Sequence, residues 1–273
     1  MNGMNILFVG GGNMATALIA GLSNMGVNTR QFGVVEPKVS AREVFQTNWH
    51  VAVWPELVPE ALVEAEIVVL AVKPQQLQGV AQLMAPWLRH QLVLSIAAGI
   101  HSVTLTGWLD GYTRVVRAMP NTPAMIGAGV TGLYAGAAVS AEQRKLAERI
   151  MQAAGSVFWL ENEAQMDAVT AVSGSGPAYV FYFMEAMERA AVALGLSVEL
   201  ARALTQQTFL GASQLAMQSG EDVGRLRERV TSPGGTTASA LDSFQVDGVA
   251  DGIVRGIEVA AARSVELGRL LAG

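Results

Sequence analysis

The 273-residue sequence contains no cysteine, three histidines and only 15% charged residues. The missing cysteine excludes disulfide scaffolds, thiolate nucleophiles, Cys-ligated zinc and iron–sulfur clusters together. Any redox chemistry must then use a borrowed cofactor. His50, His90 and His101 are scattered without ligand spacing, so no metal site is expected. No apolar stretch reaches the roughly 20 residues that cross a bilayer, and no membrane partner is expected. The N-terminal stretch lacks a basic region, and its apolar run stops at a glycine cluster too early for a signal peptide. A cytoplasmic location is the resulting expectation. With 18 basic and 23 acidic residues, the net charge of −5 leaves no footprint for a polyanion, which argues against a nucleic-acid partner.

What the sequence does have is apolar residues, 51% of the chain. Ordinary soluble proteins are about 25% charged, so an unusual share of this surface is uncharged, which points to self-association. At about 150 residues per domain, the length suggests two domains. Six short apolar runs alternate with helical patterns in the first half: Asn5–Val9, Phe32–Val35, His50–Val53, Glu66–Val72, Leu92–Ala97 and Arg114–Ala118. Continuous runs such as Ile67–Val72 suit strands buried on both faces, as in parallel sheets covered by helices. The expected fold class is an α/β Rossmann-type doubly wound parallel sheet, with its ligand crevice at the carboxyl ends of the strands. Beyond about residue 160 the strand runs stop and alanine-rich helical spacing takes over. Val180, Phe183, Met184, Met187, Ala191 and Leu194 form one helical stripe, with Pro177 suited to its first turn and Gly195 to its end. The expected division is a dinucleotide-binding domain over 1–162 and an all-α domain over 163–273. Between Ala168 and Gly220 only Glu185, Glu188, Arg189, Glu199 and Arg202 are charged, too few to solvate two helices, so these helices are expected to pack on more than one partner.

The strongest motif is Gly10-Gly11-Gly12-Asn13-Met14-Ala15, which follows the first strand and opens a helix. Glycine permits the tight turn at 10 and close backbone approach at 12, while Ala15 lets the helix pack near the strand. Free N–H groups at that helix start suit a pyrophosphate. Glu36, at the end of the second strand, stands where a carboxylate bonds ribose hydroxyls, and alone it favours NAD over NADP. Lys38 and Arg42 lie close enough in sequence to offset that charge. Ala71-Val72-Lys73-Pro74 and Ala97-Ala98-Gly99 end the fourth and fifth strands, on the side where a nicotinamide would lie, with Lys73 placed either to meet a phosphate or to solvate a loop. Asn121, in Met119-Pro120-Asn121-Thr122-Pro123, is read as a cofactor contact or as part of a rigid turn with a candidate cis-proline.

In the helical half, Ser173-Gly174-Ser175-Gly176-Pro177 reads as a close-packed helix N-terminus. In Thr231–Ala238 a glycine turn leads into a helix, and Ser232, Gly234, Gly235, Thr236 and Thr237 gather hydroxyls and unpaired N–H groups suited to a small carboxylate.

Leu226–Phe244, LRERVTSPGGTTASALDSF, resembles the C-terminal signature of the pyrroline-5-carboxylate reductase family, and GGGNMA, AVKP, SIAAG, MPNTP and DAVTAVSGSGPAYV occur in the family's order. The resemblance spans nearly the whole chain. It implies reduction of 1-pyrroline-5-carboxylate to L-proline with NADPH, or NADH as the alternative, as the last step of proline biosynthesis. It also implies a Rossmann domain followed by a helical domain that interlocks with a second subunit, the homodimers often assembling into decamers. By position it implies that Thr237 bonds the ring nitrogen, that Thr236 and the turn before it hold the carboxylate, and that Glu163 lies on the substrate side. One departure is Val58, where many members carry asparagine, and this weakens the carry-over on the adenosine side.

A β-hydroxyacid-type dehydrogenase shares this layout but typically needs a lysine in its helical domain, and no lysine follows Lys145. A non-catalytic cofactor-sensing protein is a second rival, against which the intact SPGGTT turn argues.

Overall fold

The computed structural model describes residues 4–272. Its centre is an eight-stranded sheet in the order β3-β2-β1-β4-β5-β6-β7-β8, formed by β1 (Ile6–Val9), β2 (Phe32–Val35), β3 (Ala52–Trp54), β4 (Ile67–Leu70), β5 (Leu92–Ser95), β6 (Val115–Met119), β7 (Gly129–Ala135) and β8 (Gly155–Trp159). The first six run parallel in register, Phe8 facing Val34 on one side and Val69 on the other. Order reverses at β1, from which the chain builds one way to β3 and the other way from β4, so the crevice opens at the carboxyl ends of β1 and β4. Every residue of β1, β2, β4 and β5 is buried, as continuous apolar runs between two helical layers require. One core lies around Phe8, Leu18, Ile67 and Val69, the other around Leu7, Val68, Leu70 and Leu77.

Two strands escape the sequence reading. β7 runs antiparallel to β6, and β8 pairs parallel with β7 at the sheet edge. Gly129, Thr131 and Gly132 interrupt the apolar run of β7, and β8 alternates half-buried and exposed residues with no fully buried one. A continuous-run criterion passes over both. Neither proline of the Met119–Pro123 turn is cis, since the described residues contain no cis peptide bond. His50, read as the start of the third strand, instead closes the preceding helix in a left-handed conformation at φ 52°.

The helices that matter for the site are α1 (Asn13–Asn24), α4 (Pro74–Met84), α5 (Ser102–Trp108), α7 (Gln165–Val169), α8 (Gly176–Ala193), α9 (Val198–Ser219), α10 (Val223–Arg229), α11 (Thr236–Val246) and α12 (Val249–Ala272), numbered along the chain with α2 (Val39–Trp49), α3 (Pro59–Val63) and α6 (Ala141–Gln152). Ser173–Ser175 is not a free helix start. A π-turn over Thr170–Gly174, closed by Ser175 N–H on the Thr170 carbonyl at 2.8 Å, joins α7 to α8. Pro177 does fall in the first turn of α8, where its missing N–H has no helical partner to lose.

By compactness the chain forms two units, one reaching to Ser175 and regaining the segment from Ala260, the other spanning Gly176–Val259. The change of sequence texture near residue 162 precedes this division because α7 and the π-turn pack on the sheet unit. In the second unit, α8 has no buried residue and α9 buries only Ala201 and Thr205. Phe181, Tyr182, Leu204 and Leu215 are all exposed. No helix among the described residues is long and apolar enough to cross a membrane.

Candidate active site

In the sheet unit, Gly10 holds φ +105° with its amide on the Val35 carbonyl, and a Cβ there would come within 2.7 Å of the Ala71 backbone. Only glycine lets the β1 turn pass so close to the end of β4. A Cβ on Gly11 would strike Phe45 at 2.8 Å, whereas Gly12 faces open space. Gly12 caps α1 without any side-chain bond to the helix. The amides of Asn13, Met14 and Ala15 therefore begin α1 without helical partners, and buried Ala15 lets the helix sit against the sheet. Open space in front of Gly12 and unpartnered N–H groups fit a pyrophosphate.

Glu36 stands just beyond β2. Its carboxylate accepts Gly11 N–H at 2.9 Å on one oxygen and Lys38 N–H at 2.9 Å on the other. The Arg42 guanidinium donates to the Glu36 and Pro37 carbonyls, both at 2.7 Å. The acidic residue at the ribose position is thus tied to the glycine turn, with one guanidinium beside it. Ala71 and Val72 leave β4 half-buried, exposed Lys73 caps α4 by its backbone, and Pro74 is the first helical residue.

Ala97 and Gly99 are buried and Ala98 half-buried at the end of β5. Gly99 has φ +79°, and its carbonyl would lie 2.6 Å from a Cβ on Gly268 of α12. A cleft of about 250 Å³ lies at this end of the sheet, lined among others by Pro74, Ala98, Gly99, Ser175 and Arg263. Asn121 has a structural engagement on both ends of its amide, donating to the Ser173 carbonyl at 3.1 Å and accepting Val130 N–H at 2.9 Å.

Glu163 is half-buried, and both its oxygens are engaged. One oxygen accepts Ser102 N–H at 2.5 Å and Arg117 at 2.7 Å, and the other accepts the Ser102 hydroxyl at 2.6 Å. Burial opposes the charge, but the bonds from the Ser102 hydroxyl and amide and then Arg117 outweigh it, holding the carboxyl below its usual range. The sequence reading does not single out Arg117 or Ser102. A lone arginine inside the apolar run Val115–Met119 is the signal available for Arg117, because a buried guanidinium needs a carboxylate.

In the helical unit, Gly234 turns the chain at φ +69° and Gly235 N–H closes on the Ser232 carbonyl at 3.0 Å. Gly235 then caps α11 with no side-chain bond to the helix. Thr236 is exposed and Thr237 half-buried, and among the described residues neither hydroxyl bonds another residue. The structure thus brings Ser232, Gly234, Gly235, Thr236 and Thr237 onto one turn, and groups Gly10–Ala15, Glu36, Ala71–Pro74 and Ala97–Gly99 along the carboxyl edge of the sheet.

Such a sheet and glycine turn define a protein of the doubly wound, dinucleotide-binding class. Comparison with known proteins narrows this. A family model described as pyrroline-5-carboxylate reductase dimerisation matches residues 163–267, and one described as NADP oxidoreductase, coenzyme F420-dependent, matches residues 5–99. A pyrroline-5-carboxylate reductase of Pseudomonas aeruginosa is 47% identical over 272 residues, covering 99% of each chain. The solved structure of a pyrroline-5-carboxylate reductase from Coxiella burnetii superposes with a TM-score of 0.91 at 39% identity, over 97% of this chain and 99% of that one. A Plasmodium falciparum pyrroline carboxylate reductase solved with NADP bound gives a TM-score of 0.88 at 29% identity, over 98% and 99%. The chain belongs to the pyrroline-5-carboxylate reductase family.

Proposed function

We propose that this protein reduces 1-pyrroline-5-carboxylate to L-proline, the final step of proline biosynthesis, with NADPH as reductant and NADH as the alternative, in the cytoplasm. The observation that carries the reading is the Ser232–Thr237 turn, where two free hydroxyls stand at the unpaired start of α11. A helix that needed only a cap would use one such residue.

The Gly10–Ala15 turn and the start of α1 would hold the pyrophosphate, Glu36 and Arg42 would meet the adenosine ribose, and Ala71–Pro74 with Ala97–Gly99 would receive the nicotinamide end. When bound, the reduced nicotinamide supplies a hydride to C5 of the ring. The protonated C=N accepts it and becomes a neutral amine, so no strong side-chain acid is required. Thr236, with the Ser232, Gly234 and Gly235 backbone, holds the carboxylate against the positive end of α11. Thr237 is the catalytic residue, its hydroxyl bonding the ring nitrogen and fixing the face presented to the cofactor. Asn121, with its amide already engaged on both ends, shapes the turn beside the cofactor. Residues 163–273 supply the substrate turn and the subunit contact, and a homodimer, open to assembly into decamers, brings substrate and cofactor together.

Mixing the purified protein with 1-pyrroline-5-carboxylate and NADPH should oxidise the cofactor, and absence of oxidation with either NADPH or NADH would overturn the reading. Thr237→Ala should lower imine reduction by about two orders of magnitude, as loss of an orienting group does, while NADPH affinity stays near that of the parent. Equal loss of both would contradict the role given to Thr237.

A further inference from the structure

Family resemblance puts Glu163 on the substrate side, yet both oxygens of its carboxylate are already bonded within the chain. Three bonds of 2.5–2.7 Å from Ser102 and Arg117 hold it in place. Arg117 is 4% exposed on β6, and its ladder partner is Ser95, the last residue of β5. Ser102 is the first residue of α5, whose cap residue His101 makes no side-chain bond to the helix. Glu163 caps α5 in its place, across 61 residues of sequence. The six residues between these anchors, Ile96–His101, include Ala97, Ala98 and Gly99.

Each side of that turn is fixed. At its base the Ser95 hydroxyl accepts Ala97 N–H at 3.4 Å, and Arg117 stands opposite Ser95 in the neighbouring strand. At its far end the Ser102 amide and hydroxyl are tied to Glu163. Behind it, Gly268 packs against Gly99 so closely that a Cβ would come within 2.6 Å of the Gly99 carbonyl. The His101 imidazole lies 3.9 Å from Glu163 on the same side. Ion pair, helix cap and ladder meet on one carboxylate, and their shared consequence is the placement of Ala97–Gly99.

We infer that Glu163 is a positioning residue, acting through Ser102 and Arg117 to set the Ala97–Gly99 turn that receives the cofactor, and that it does not touch the substrate. The inference rests on the cofactor role proposed above for that turn. Removing the carboxylate charge leaves Arg117 buried without a partner, so Glu163→Gln carries a folding risk. Ser102→Ala avoids it, since the Arg117–Glu163 pair stays intact.

The test is a fluorescence titration of NADPH without imine, on the parent chain, Ser102→Ala, Ser102→Thr, Glu163→Gln and the Ser102→Ala/Glu163→Gln pair, followed by kinetics at saturating cofactor. Ser102→Ala and Glu163→Gln should each weaken NADPH binding by about tenfold, the scale of a hydrogen bond to a charged group. The double variant should lose no more than the stronger single one, because both remove one device. Ser102→Thr, which keeps amide and hydroxyl, should restore parental binding, and the imine KM should stay within about twofold throughout. A raised imine KM with unchanged NADPH binding in Glu163→Gln would overturn the inference and return Glu163 to the substrate. Additive losses, or unchanged NADPH binding in folded Ser102→Ala, would also overturn it. Since NADPH binding is read without substrate, a chain that binds cofactor but reduces no imine would fail the proposed function alone.

Discussion

The sheet unit and the unit spanning Gly176–Val259 treat their apolar residues in opposite ways. In the first, Phe8, Ile67 and Leu70 are almost fully enclosed, and β1, β2, β4 and β5 have no exposed residue. In the second, α8 buries nothing, and Phe181 and Tyr182 are 62% and 72% exposed. Burial removes apolar area from water at about 25 cal/mol per Å², so the first unit gains this within one chain. The second leaves much of it in water, and large exposed apolar patches mark interaction sites. Low charge in the sequence therefore goes with two arrangements, strands buried on both faces in one unit and exposed apolar helices, read above as a subunit contact, in the other.

The largest effect should come from truncating matched leucines in the two units. Leu70→Ala should destabilise the chain by about 2–5 kcal/mol in urea unfolding, through lost transfer energy and the cavity left behind. Leu204→Ala, on an exposed face, should change monomer stability by no more than about 0.5 kcal/mol and show its cost in association. Similar stability losses would erase the contrast. Next, Phe181→Asp should raise the dimer dissociation constant by about thirtyfold, the scale of a hot-spot residue, in sedimentation equilibrium. NADPH binding to the sheet unit should survive that change.

A smaller effect separates two glycines of one turn. Gly10→Ala forces a side chain into positive φ and onto the Ala71 backbone, and overpacking of this kind costs about 1–3 kcal/mol by thermal or chemical unfolding. Gly12→Ala meets open space, so stability should hold while NADPH affinity falls. The smallest effect is the acid limb. A carboxyl held low in the folded chain adds stability above the ordinary value of 4.5, and that contribution disappears as pH falls through the lower folded value. Glu163→Gln should therefore flatten the loss of stability below pH 4.5, read by urea midpoints across pH.

The parallel strands and the glycine turn were legible because each rests on a local pattern: Ile67–Leu70 is continuously apolar, and Gly10 and Gly12 are spaced for one tight turn. β7 and β8 were not, since two glycines and Thr131 break the apolar run of β7 and β8 alternates half-buried with exposed residues. The same holds for Glu163, whose partners lie 46 and 61 residues away. Family resemblance pointed to a functional carboxylate, but only geometry showed its oxygens bonded to Ser102 and Arg117. Asn121 follows the same logic, a polar side chain in a proline turn whose bonds run to Val130 and Ser173. The Ser232–Thr237 turn could be read early because cap, glycines and hydroxyls sit within six residues.

The contrast between the units comes down to whether one chain is enough. The most direct measurement follows imine-dependent NADPH oxidation through a dilution series, with sedimentation velocity recording the dimer fraction at each concentration. We predict that activity per chain falls in proportion to the dimer fraction. A demonstrated monomer with undiminished activity per chain would contradict the account.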